Sequence, residues 1–204
     1  MQEINAMIQR LQDGNAEFVA SLSNGETLAE RAPPAELVQE QKPFAIILGC
    51  SDARVPAEIV FNQAIGDLFV IRVAGNIVAR SQIGSVEFAA SAFGTRLVVV
   101  LGHTKCGAIG ATLSELQQPT ENQSPNLRSI VDRVRPSVAE LLETDLRHDH
   151  DALAAAAVRA NVRRSVDQLR HGSDILEDMV QSDGMKIVGA EYSVETGRVS
   201  FLEG

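Results

Sequence analysis

Cys50, Asp52 and Arg54 fall within GCSDAR (49–54), and His103 and Cys106 fall within GHTKCG (102–107). Two cysteines and one histidine form a known catalytic zinc set, which leaves a fourth position for water. Such a metal needs its ligands deprotonated. Two thiolates neutralise its double charge, so a supporting group should hold and orient the water. Asp52 stands two residues from Cys50 and suits that task, and Arg54 is placed to clamp Asp52, ionised and away from the metal. Other readings compete. Free cysteines are often inert and buried, an Asp–Arg pair is often a surface ion pair, and His103 with Cys106 has the spacing of half a zinc ribbon. The chain has only 2 cysteines and no CxxC, which argues against a disulfide scaffold or a redox dithiol.

Each cluster follows an apolar run, FAIIL (44–48) and LVVVL (97–101). Runs of that length read as strands buried on both faces of a parallel sheet. Both clusters are then expected at the carboxyl edge of one sheet, where open α/β proteins bind ligands. A helix over 107–116 begins directly behind Cys106 and sets its positive end near that sulfur. Further elements are expected as a short helix over 55–61 with Pro56 in its first turn, a strand over 68–73 and helices over 81–93, 127–142, 151–171 and 174–181. Strands over 187–192 and 198–202 form a hairpin through Glu195-Thr196-Gly197. Helical spacing over 3–21 predicts an arm that packs on the body or on a partner subunit. Residues 22–43, with Pro33, Pro34 and Pro43, read as a long connection holding at most a short helix, and 117–126 as a surface loop. The fold class is α/β: a mostly parallel sheet with one antiparallel edge strand and helices on both faces. Residues 1–204 are expected to form one domain, an arm over 1–43 and a core over 44–204. His148-Asp149-His150 reads as a helix cap rather than a metal site. Arg159, Arg163, Arg164 and Arg170 read as a solvated or subunit-facing surface, and Gly75 and Gly102 as sites of unusual backbone angles.

At 204 residues, 45% hydrophobic and 22% charged, the composition is that of a globular protein with a sizeable core. A formal net charge of −9 argues against nucleic acid or an anionic membrane as partner. No apolar run is long enough to span a bilayer. The first residues lack the basic start and apolar core of a signal peptide, so a cytoplasmic protein is expected.

LGCSDARVPAEIVF, GDLFVIRVAGN, VVVLGHTKCGA and VGAEYSVETGRVSFL, in that order and spacing, resemble the β-class carbonic anhydrases over most of the chain, least over 117–150. The resemblance implies that family's parallel α/β fold, assembly as a dimer or tetramer, and reversible hydration of carbon dioxide to bicarbonate. It implies one zinc per subunit on Cys50, His103 and Cys106, with Asp52 and Arg54 as the dyad beside it. Gln41 matches a glutamine that hydrogen-bonds substrate, and Phe69 an apolar wall of the carbon dioxide pocket. Phe88 stands where plant-like members carry a Tyr that reaches the pocket across the dimer. Position 47 is Ile where bicarbonate-regulated members carry Trp, although Arg72 and Tyr192 match the rest of that regulatory site. The expected subtype is therefore a bacterial enzyme with a plant-like pocket and an incomplete regulatory site. Two rivals are a hydrolase of carbonyl sulfide or carbon disulfide on the same scaffold, and a catalytically silent zinc protein used for binding or assembly.

Overall fold

A computed structural model describes residues 2–24, 40–120 and 124–203. In chain order the elements are α1 (Gln2–Asn24), β1 (Ala45–Gly49), α2 (Ala57–Val60), β2 (Leu68–Arg72), α3 (Arg80–Phe93), β3 (Leu97–His103), α4 (Gly107–Gln117), α5 (Pro125–Val138), α6 (His150–His171), α7 (Asp174–Ser182), β4 (Lys186–Tyr192) and β5 (Val199–Phe201). The sheet order is β2-β1-β3-β4-β5. β1 is parallel to β2 and β3, and β3 to β4, while β5 runs antiparallel to β4. This is the expected α/β architecture with one antiparallel edge strand.

The apolar runs become the two strands with a partner on each side. Every residue of β1 and β3 is buried, as a run without alternation requires. On one face Ile47, Val99 and Leu101 pack with Ile4, Leu11 and Phe18 of α1. The opposite face joins Ile46, Leu48, Val98 and Val100 to Val162, Val166 and Leu169 of α6. The arm helix therefore lies on its own subunit. Asn15 fastens it: its amide donates to the Val60 and Gly197 carbonyls at 2.9 and 2.8 Å and its oxygen accepts from Val199 N at 2.8 Å.

Several expectations need adjustment. The strand expected over 44–48 runs Ala45–Gly49, and Pro56 is the N-cap of α2, one residue before its first turn. The helix expected over 127–142 ends at Val138 and tightens into a 3₁₀ turn, Ala139–Glu143, just after Pro136, whose missing N–H weakens the α ladder. Residues 25–39 of the expected connection, and 121–123 of the surface loop, lie outside the described residues. Asp149 does cap α6, accepting from Ala152 N at 3.0 Å. Two of the arginines of α6 turn inward. Arg159 pairs with Glu191 at 3.2 Å, and Arg170 donates to the Ile187 carbonyl at 2.7 Å, which lies below the short β5 ladder. Gly75 has the anticipated left-handed backbone, φ 70°. Gly102 is glycine for a different reason: a Cβ there would stand 2.4 Å from Val162 Cγ2. Its missing side chain lets α6 lie close over β3, next to His103.

Candidate metal centre

β1 and β3 end side by side, with Gly49 paired to Leu101, so the loops that follow them meet. Cys50 comes from the first loop, His103 from the last residue of β3, and Cys106 from the N-cap of α4. The ligand atoms of Cys50, His103 and Cys106 all lie within 4.8 Å of one another, and all three residues are buried. The two sulfurs are 4.0 Å apart. Two sulfurs on one tetrahedral zinc, at about 2.3 Å each, would stand roughly 3.8 Å apart. His103 is 0% exposed. Its Nδ1 meets the Thr104 carbonyl at 2.9 Å, which fixes the ring, while Nε2 is buried with no hydrogen-bond partner. An unpartnered buried nitrogen is costly, and here it is at once explained as a ligand atom. The donor set fits zinc in kind, number and spacing.

Without a cation the two thiols share one charge. Hydrogen bonding to the Cys106 thiol lowers the pKa of Cys50 against the opposing effect of burial, and His103 and Gly75 N–H, 3.3 Å from the sulfur, add to the lowering. Cys106 is pushed up, first by its bond to Cys50 and then by burial, although the Ala108 and Ile109 N–H groups at the start of α4 oppose this. One thiolate forms readily and its charge resists the second. A dication removes that resistance, so the pair is built to be ionised together. Burial lowers the pKa of His103, but its contacts with Cys50, the Thr104 carbonyl and Asp52 raise it on balance.

Beside the ligands, Asp52 is gripped along one edge. Its Oδ1 accepts from Arg54 N and Nε at 3.0 and 2.9 Å, and its Oδ2 from Nη2 at 2.8 Å. The Arg54 guanidinium holds the Asp52 carboxyl far below the usual carboxylate range, and Asp52 raises Arg54 in return. Oδ2 also lies 3.9 Å from His103 Nε2, so the carboxylate borders the ligand cluster. Arg54 Nη2 reaches the Lys105 carbonyl at 3.2 Å as well, joining the two loops.

The family resemblance gives Arg72 only a place in a regulatory site. In the structure it lies opposite Gly49, donates from Nε to the Cys50 carbonyl at 2.9 Å, and from Nη2 to the Asp52 carbonyl. It braces the loop that carries both residues. Ile47 is fully buried in the core and Tyr192 packs in the same cluster. Sequence reasoning also missed Glu195, at the tip of the β4–β5 hairpin, which bonds to the residues between His103 and Cys106. No motif marks it.

The remaining site candidates do not join the cluster within this chain. Gln41 is exposed in the segment before β1, at the opposite end of that strand from Cys50. Phe69 pairs in register with Ile46, about 10 Å down the strand from the level of Gly49. It packs with Phe88 and Phe93, centroids 6.3 and 6.0 Å away. Phe88 is 56% exposed, so the three rings form an apolar surface beside the edge strand.

A family model described as carbonic anhydrase matches residues 45–199. A carbonic anhydrase of Mycolicibacterium smegmatis is 39% identical over 191 residues, 93% of this chain and 88% of the relative. Carbonic anhydrase 2 of Mycobacterium tuberculosis is 34% identical over 198 residues, 92% and 87% of the two chains. Among solved structures, the β-carbonic anhydrase CafA of Aspergillus fumigatus superposes with a TM-score of 0.71 at 26% identity, covering 93% of this chain and 87% of its own. A tetrameric β-carbonic anhydrase of Sordaria macrospora gives 0.72 at 22% identity, with 98% of both chains covered, and shares the fold.

Proposed function

Because this chain belongs to the β-class carbonic anhydrases and hydrates carbon dioxide reversibly to bicarbonate, we propose that Cys50, His103 and Cys106 hold one zinc per subunit, with Asp52 and Arg54 as the catalytic dyad. The observation that carries the assignment is the buried His103 Nε2, without a hydrogen-bond partner, on a ring that offers a ligand nitrogen within 4.8 Å of both sulfurs. Zinc, when bound, supplies the Lewis acidity that makes water a nucleophile near neutral pH. The rest falls to the protein. Asp52 Oδ2 accepts a hydrogen bond from water at the cluster and orients its lone pair, while Arg54 fixes the carboxylate in that pose. The N–H groups at the start of α4 and Gly75 N–H stabilise the charge on the two sulfurs.

The chain is one domain in this reading, an arm over 1–43 and a core over 44–204, supported by the burial of α1 against the sheet. Gln41, Phe69 and Phe88 act on a partner subunit's pocket, because within their own chain they stand away from the ligand cluster. The exposed ring of Phe88, backed by the half-buried Phe69 and Phe93, supplies an apolar wall there, and the tetrameric relatives support self-association. Sedimentation at micromolar concentration is expected to show a dimer or tetramer; a stable, fully active monomer would overturn this arrangement. Two free thiols suit a reducing, cytoplasmic setting, which fractionation of cells would test. Among the described residues, no helix is long and apolar enough to cross a membrane.

The direct experiment pairs zinc analysis with stopped-flow hydration of carbon dioxide from about pH 6 to 9. Near-stoichiometric zinc and fast turnover are expected. Asp52 stays ionised and Arg54 charged across that range, so neither contributes a step. Activity should rise gradually with pH, following one ionisation. Added bicarbonate should not inhibit cooperatively, since Ile47 fills its position with core packing and Arg72 is engaged with two carbonyls. A steep profile that moves upward with bicarbonate would refute the unregulated subtype. Zinc without turnover would favour a silent binding protein, and turnover on carbonyl sulfide alone would favour a sulfur-analogue hydrolase.

A further inference from the structure

We propose that Glu195 is a positioning residue for the Asp52–Arg54 dyad, acting through the backbone of Lys105; this rests on the dyad assignment above. Lys105 has φ 56°, a left-handed conformation that a side-chain-bearing residue holds only when its surroundings impose it. That conformation aims its carbonyl at Arg54 Nη2, 3.2 Å away. Glu195 holds the residue through its predecessor and through its own side chain. One carboxylate oxygen accepts from Thr104 Oγ1 at 2.6 Å and the other from Lys105 Nζ at 2.9 Å. Thr104 is tied further to the same hairpin: its N donates to the Tyr192 carbonyl at 2.9 Å, and its Oγ1 accepts from Val194 N at 3.0 Å.

Glu195 is anchored in turn. Ser193 Oγ donates to it at 3.2 Å, and Ser193 N to the Arg198 carbonyl at 2.8 Å closes the hairpin. Asn15 of α1 grips the far side of the hairpin through Gly197 and Val199. The carboxylate is held ionised, at a pKa of about 2, by Thr104 and then Lys105. It therefore serves as a fixed acceptor at working pH and is unsuited to carrying the released proton. The role is geometric. Arg54 has two anchors, Asp52 and the Lys105 carbonyl, and the second exists only while the loop keeps its shape. Its side chain is half exposed, so with Asp52 alone it would sample other poses and take the carboxylate with it.

The test uses Glu195→Ala with a readout at Arg54 itself. The side-chain Nε–H of Arg54, bonded to Asp52 Oδ1 at 2.9 Å, should give a slowly exchanging 15N-resolved signal in the wild-type protein, and Arg54→Ala identifies it by its absence. In Glu195→Ala that proton should exchange several-fold faster, with zinc content and melting temperature retained. Hydration kcat/KM should fall roughly three- to tenfold, the scale of a lost hydrogen bond. In an Arg54→Ala background the same substitution should cost nothing further, since a residue acting through Arg54 has no path left. Unchanged Nε–H exchange in Glu195→Ala, or losses that multiply in the double variant, would overturn the proposal. Thr104→Val removes the central hydroxyl of the brace and takes the same two readouts, so it decides the matter if Glu195→Ala does not fold. Should the wild type prove inactive, the functional reading fails separately, while the exchange measurement still judges Glu195.

Discussion

Cys106→Ser is expected to lose nearly all bound zinc and, with it, nearly all hydration activity. Cys106 is buried and supplies one of three ligand atoms grouped within 4.8 Å. A serine hydroxyl does not ionise near neutral pH and is a far poorer ligand for this metal. Removing an outer partner of a metal ligand costs about 10- to 100-fold in affinity, so a direct ligand should cost on the order of a thousandfold or more. The substitution is nearly isosteric, and Cys106 is the N-cap of α4, a position serine favours. The fold should therefore persist, and metal loss should not reflect unfolding. Metal analysis after dialysis against a weak chelator, with circular dichroism on the same sample, provides the check. Full zinc retention in Cys106→Ser would remove that sulfur from the ligand set.

Arg54→Ala should do the reverse: keep zinc and lose turnover. The guanidinium bonds to Asp52 and the Lys105 carbonyl rather than to a candidate ligand atom, and makes two of the three bonds that Asp52 receives from Arg54. Its removal lets the Asp52 pKa rise toward the usual carboxylate range. That range still lies well below pH 7, so the group stays charged and what it loses is direction. The freed carboxylate can turn from its present 3.9 Å separation from His103 Nε2 toward the ligand cluster and compete there with water. Misplacing a group beside the reacting atoms costs on the order of 100-fold, and a loss of that size in kcat/KM is expected, greatest at low pH where hydroxide competes least. Comparing zinc content with stopped-flow rates across pH settles it. Loss of metal together with activity would make Arg54 a structural support for the ligand set instead.

The convergence of the candidate ligands was legible because their strands are. FAIIL and LVVVL have the unbroken apolar character that only a strand covered on both sides requires, and each ends where a chemical cluster begins. Asp52 and Arg54 were legible for a similar reason: they are two residues apart and bond to each other, so sequence distance and contact coincide. Other features failed that condition. Glu195 lies some ninety residues from Thr104 along the chain, and only the hairpin after β4, in register with β3, brings them together. The bracing role of Arg72 follows from its register opposite Gly49, which no spacing announces. Gly102 looked like a backbone-angle glycine because local sequence carries no sign of the Val162 side chain that α6 lays against it. Gln41, Phe69 and Phe88 could be named only by resemblance. Within this chain they stand away from the cluster, which is why the proposed reading gives them to a partner subunit's pocket.

The pairing of β1 and β3 also bears on how the metal comes and goes. Amide protons in strands with a neighbour on each side, fully buried as these are, usually exchange only when the whole molecule unfolds. Cys50 directly follows one such strand and His103 ends the other. Breathing motions of the periphery, including the aromatic edge at β2, leave those two anchors in place. Chelation should accordingly yield a folded receptacle with its ligands still converged, ready to be refilled without passing through the denatured chain. The lifetime of an ion held there should then be governed by stepwise ligand substitution at the cluster rather than by excursions of the fold.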